Sequence, residues 1–99
     1  MTSKAVEFHE EASLESAAAL EWYLERSEMA ASRFVAELNR GIALIAQAPQ
    51  WWPTGVHGTR RFLLQRFPFS VVYREFPSRI QMLAVAHGHR RPGFWKVRL

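Results

Sequence analysis

The chain has no cysteine and no aspartate. Without cysteine there is no disulfide frame, no thiolate nucleophile and no cysteine-type zinc site. Without aspartate, a Ser-His-Asp triad and Asp-rich magnesium sites are excluded. Lysine is scarce, with only Lys4 and Lys96, so the basic residues are almost all arginine. No apolar run approaches the roughly 20 residues a membrane-spanning helix needs, and the N-terminus lacks a basic-then-apolar signal. These absences predict a cytoplasmic protein with no membrane contact. The 99 residues, 48% of them apolar, fit one globular domain, 1–99, around a single core.

What is present is unevenly distributed. Residues 1–49 hold four basic residues against eight glutamates, a balance of −4. Residues 50–99 hold nine basic residues against Glu75 alone, a balance of +8, together with His57, His87 and His89. Such segregation points to an anionic partner more directly than the overall charge does. Arginine supports that reading, because its planar fork suits phosphate and stacks on bases. The competing reading is that some arginines pair with helix glutamates on folding. No His/Glu spacing suggests a metal site, and no cofactor is called for.

Along the chain, Ala5-Val6-Glu7-Phe8 alternates and predicts a short first strand ending at His9. Ser13 is a candidate N-cap for a helix over 12–26, with Leu14, Ala17, Leu20 and Leu24 inward and Glu15, Glu21 and Glu25 outward. Ser27 caps a second helix whose buried stripe is Ala31, Phe34, Leu38, Ile42 and Ile45. Pro49 stops it. The near absence of a linker makes the two an antiparallel hairpin. Trp51-Trp52 begins a loop, one tryptophan being expected as a lid on the core. Three strands follow, 60–65, 69–76 and 80–87; the last is apolar enough to be central. Phe69, Val71 and Tyr73 share one face of their strand; Ser70, Val72 and Arg74 share the other. Arg79 reads as a solvated turn charge. The fold class is α+β, a two-layer β-α-α-β-β-β domain with the helix hairpin on a mostly antiparallel sheet.

These residues carry a resemblance. The helix hairpin is followed by Arg61-Phe62, Arg66-Phe67-Pro68-Phe69 and Val72-Tyr73-Arg74. Then come Leu83-Ala84-Val85-Ala86-His87 and Arg90-Arg91-Pro92-Gly93-Phe94-Trp95. Together they resemble the RelE/ParE superfamily, the toxins of type II toxin–antitoxin modules, also known as plasmid stabilisation proteins. The likeness runs through nearly the whole chain in order. It implies a growth-inhibiting toxin neutralised by a cognate antitoxin, in a hetero-oligomer. It also implies one of two targets. ParE-like members inhibit DNA gyrase, and RelE-like members cleave mRNA on the ribosome without a metal.

Metal-free RNA cleavage needs a base for the 2′-hydroxyl, cations for the phosphorane and an acid for the leaving oxygen. As a nuclease, this chain would use His87, His89, Arg66 and Arg90. Imidazole is the one side chain whose ordinary titration falls near neutral pH. Two departures favour the ParE-like reading. The paired lysines of RelE-like nucleases are replaced by Arg60 and Arg61, which stay protonated and make poor bases. Neither Phe94 nor Trp95 can donate a proton as the tyrosine of RelE-like nucleases does. A gyrase inhibitor needs only a shaped basic surface, here expected from Arg60, Arg61, Arg66, Arg74, Arg90, Arg91 and Trp95. A non-catalytic RNA- or partner-binding module is the third reading.

Overall fold

A computed structural model describes residues 4–99. In it β1 (Ala5–Phe8) leads into α1 (Glu10–Leu24) and α2 (Glu28–Gln47). Then β2 (Arg60–Leu63), β3 (Phe69–Glu75) and β4 (Arg79–His87) complete a four-stranded sheet of order β1-β4-β3-β2. β1 runs parallel to β4, and the other two pairings are antiparallel. β4 is therefore central, as its continuous apolar sequence predicts, and most of its length is buried. Among the described residues no helix is long and apolar enough to cross a membrane.

The second helix follows its sequence signals. The Ser27 hydroxyl accepts the Ala30 N–H at 3.2 Å, and Ala31, Phe34 and Ile45 are buried. The first helix departs from them. It starts three residues before the expected cap, because the His9 Nδ1 accepts the Glu11 N–H at 3.1 Å. Glu10 and Glu11 then fall in the first turn, where the helix dipole favours carboxylates. Ser13 lies inside the helix. Its buried face is Ala12 and Ala19, flanked by Leu20 and Tyr23, whereas Leu14 and Leu24 are about half exposed. Alanines win the inner positions because they let α1 lie close on β4. The expected outward glutamate, Glu15, faces inward and is only 14% exposed. β2 is also shorter than expected, since the chain turns after Leu63.

The helix layer and the inner sheet face enclose one core. Phe34, Ile45, Phe62, Val71, Tyr73, Ile80 and Met82 form it. Gly41 permits the closest approach, since a Cβ there would lie 2.8 Å from Phe62 Cε1. Phe62 cannot retreat, being buried and held edge-to-face by Trp52 at 5.0 Å. Gly41→Ala therefore gains helix propensity worth about 1 kcal/mol but overpacks at about 1–3 kcal/mol. The net expectation is a loss of about 1 kcal/mol, read as a melting temperature about 4–8 °C lower.

Tyr73 is completely buried, and its hydroxyl donates to the Pro49 carbonyl at 2.6 Å. Burial pushes its phenol up to about 12, with the Arg60 charge pulling the other way. Because the folded value is raised, the phenol contributes stability fully below its ordinary value near 10. That contribution is lost as pH rises through about 12. An ultraviolet phenolate titration should show this tyrosine titrating last, together with alkaline unfolding. A Tyr73→Phe variant should lack the late step.

One other expectation changes, that for Arg79, and the expected tryptophan lid is found. Arg79 pairs with Glu7 at 3.0 Å, tying β1 to β4. Of the tryptophan pair, Trp52 is the lid on Phe62 and Trp51 is 83% exposed.

Candidate functional site

The sheet face away from the helices carries the site. A β-bulge shapes it: Val72 pairs with Ala84 and Tyr73 with Met82, so Leu83 has no partner on β3. Val72, Leu83, Ala84 and Ala86 cluster on this side under Trp95. Trp95 sits in a short 3₁₀ turn, Phe94–Arg98, that follows Gly93. Gly93 has φ +77°, a left-handed conformation that folds the C-terminal segment back over the sheet. On the other side, residues 52–59 make a compact loop, closed by Gly55 N–H to the Thr59 carbonyl at 2.6 Å. Between these walls runs a groove of about 650 Å³ with Ser70 and Val72 on its lining.

The groove gathers Arg60, Arg61, His87, Arg90, Arg91 and Trp95, and no carboxylate lines it among the described residues. The four arginines are not equivalent. Arg60 donates to the Trp52 carbonyl at 2.6 Å and braces the loop wall. Arg90 lies 3.8 Å over the Phe94 ring and 3.8 Å from Glu15. Arg61 and Arg91 are exposed and make no ion pair among the described residues. Strand alternation puts Arg61 here, because Phe62 next to it is committed to the core.

His87 ends β4 at the groove margin. Its Nδ1 accepts the His89 N–H at 3.0 Å, so the neutral ring carries its proton on Nε2. The two imidazoles stack at 4.9 Å, and Phe69 meets His87 edge-on at 5.1 Å. His89 is exposed and is not part of the groove lining. Arg66 and Arg74 lie elsewhere. Arg74 bonds Gln81 at 2.9 Å, and Arg66 sits in the β2–β3 turn beside α2. Trp95 is 8% exposed, so it forms wall rather than an open stacking platform.

Two residues outside the sequence expectations matter. Ser70 contributes a nearly buried hydroxyl to the groove; its alternation with Val72 already placed it on this face. Glu15 anchors the C-terminal segment by accepting from Arg98 Nη1 and Nη2, both at 2.8 Å. It also takes the Val85 N–H at 3.0 Å, while Arg98 donates to the Leu83 carbonyl at 2.8 Å. β1 ends beside Met82, so this ion pair finishes the β4 edge that β1 leaves unpaired. Nothing in the sequence links positions 15 and 98.

Neither the family models nor the curated proteins include a match to this chain. Solved structures do. One chain from the chromosomal ParDE TA system from P. aeruginosa superimposes with a TM-score of 0.74. The match covers 86% of this chain and 96% of that one, at 21% identity. The fold is RelE/ParE-like. Within that RelE/ParE-like frame, the two helices cover one sheet face and the arginine groove occupies the other. The arrangement can seat a polyanion or an acidic surface, with one imidazole at its margin. The Tyr73 hydroxyl is spent on Pro49, so it offers no proton donor to the groove.

Proposed function

We propose that the chain is the toxin of a type II toxin–antitoxin module, ParE-like in action, which inhibits DNA gyrase and is silenced by a cognate antitoxin. The observation that carries this reading is the groove itself. Among the described residues it offers exposed arginines without any lining carboxylate, yet only one imidazole and no phenol to share acid–base work. That suits binding and blocking better than bond cleavage, which needs a proton acceptor and a proton donor together. The alternative is a RelE-like ribosome-dependent mRNA nuclease using His87, His89, Arg66 and Arg90. It is disfavoured because Arg66 is not in the groove that holds His87 and Arg90.

Expression without an antitoxin tests the reading. Growth arrest is expected, with loss of gyrase supercoiling activity in extracts and no new RNA 5′-hydroxyl ends. His87→Ala should leave the arrest in place. New ends at ribosome-occupied codons, abolished by His87→Ala, would transfer the assignment to the nuclease. Unimpaired growth at confirmed levels of folded protein would leave a non-catalytic binding module.

A further inference from the structure

The β2–β3 hairpin closes through Leu64 N–H to the Phe69 carbonyl at 3.0 Å. Its loop puts Arg66 at φ +69°. Side chains other than glycine and asparagine are uncommon there, and the conformation costs roughly 1 kcal/mol or more. Hairpin loops ordinarily place glycine at such a position. An arginine held there against local preference directs attention to what surrounds it.

Arg66 lines a second pocket of about 590 Å³, which shares no residue with the groove. Arg33 and Arg40 enter it from α2, with Glu37 between them. Glu37 is already committed. It accepts Arg40 Nε at 2.8 Å, Arg40 Nη2 at 2.9 Å and the Gln65 N–H at 2.6 Å. The Arg40 hydrogen bonds hold its carboxyl below the usual carboxylate range against the opposing effect of burial. The Gln65 amide and the charges of Arg40 and Arg66 add to that. Arg33 and Arg66 make no ion pair among the described residues. Three guanidinium groups thus line the pocket with one carboxylate, which already accepts three hydrogen bonds.

Apart from Ser27 and Gln65, the remaining lining is apolar. Phe67 is fixed edge-to-face by Tyr23 at 5.2 Å and by Phe34 at 5.5 Å, giving a rigid wall. Met29 is 63% exposed beside it. An inorganic oxyanion would use the arginines and leave the wall wet. A carboxylate next to an apolar side chain uses both, and arginine forks match carboxylate geometry. We propose that this pocket, distinct from the groove, docks an acidic–apolar segment of a partner polypeptide, its carboxylate held by Arg33 and Arg66 and its apolar side chain on Met29 and Phe67.

The proposal is independent of what the groove binds, so the two can fail separately. The test titrates a short peptide of alternating glutamate and leucine, and separately inorganic phosphate, into the whole protein, following amide chemical shifts. Saturable shifts are expected at residues 29–40 and 65–67 with the peptide, and weaker ones with phosphate. Arg66→Gly suits the left-handed backbone, so it should fold at least as stably while weakening the peptide roughly tenfold, the loss typical of one charged hydrogen-bonded contact. Arg74→Gln, at a position that lines neither the pocket nor the groove, should bind the peptide normally. Shifts confined to the groove, phosphate binding tighter than the peptide, or unchanged binding by Arg66→Gly would each overturn the proposal.

Discussion

Glu15→Ala is expected to destabilise the domain by about 3 kcal/mol, the cost of breaking one side of a buried ion pair. For a domain of this size that lowers the melting temperature by about 12–24 °C. The reason lies in what the carboxylate serves. Its loss strands Arg98, whose side chain is 9% exposed, and the Val85 N–H on the central strand. Arg98 keeps the Leu83 carbonyl but loses the group that balances its charge, and the Val85 N–H loses its acceptor; unmet buried groups carry the full desolvation penalty. Glu15→Gln keeps an acceptor and should lose about half as much. Thermal unfolding of Glu15→Ala, Arg98→Ala and the double variant gives the coupling, expected at about 1–3 kcal/mol. A Glu15→Ala loss within the roughly 0.5 kcal/mol of an ordinary surface change would show that the pair is no structural anchor.

The second large effect concerns activity. Arg61→Ala with Arg91→Ala should abolish growth arrest while leaving the melting temperature within about 2–4 °C of the parent. Both side chains are exposed and have no partner carboxylate among the described residues, so the fold loses little without them. A target, in contrast, would lose two charge-assisted contacts, each worth about 1.5–3 kcal/mol, which compounds to about a hundredfold or more in affinity. Arg26→Gln is the control. Its guanidinium lies 3.6 Å over Trp22 on the helix surface, and arrest should persist. Persistent arrest in the double variant, with wild-type protein levels, would move the active surface away from the groove.

The sequence discloses some of this architecture and conceals other parts for identifiable reasons. The second helix is legible because a cap, a stripe and a proline agree. The central strand is legible because burial on both faces leaves a continuous apolar run. The first helix misleads because its inner face is built on alanines and one glutamate, while Leu14 and Leu24, at helical spacing with Leu20, point outward. Hydrophobicity alone cannot select small residues chosen for close approach. The groove is half legible. Alternation puts Arg61 and Ser70 on one side, and the Gly88–Gly93 segment brings Arg90 and Arg91 to it. Arg66 falls in with them on sequence grounds because it precedes β3. A left-handed turn residue sends it instead to α2, and a backbone dihedral leaves no mark in composition.

The edge completed by Glu15 and Arg98 has a kinetic consequence. The bond joins residues 83 positions apart, and β1 pairs with a strand more than 70 positions downstream. The helix hairpin and the β3–β4 hairpin need only nearby residues. Long-separation contacts pay their loop-closure entropy before they return any energy, so they form after the local ones. Strengthening the clasp should thus slow unfolding and leave the folding rate nearly unchanged. The domain's lifetime in the native state is set at the place where its two ends meet.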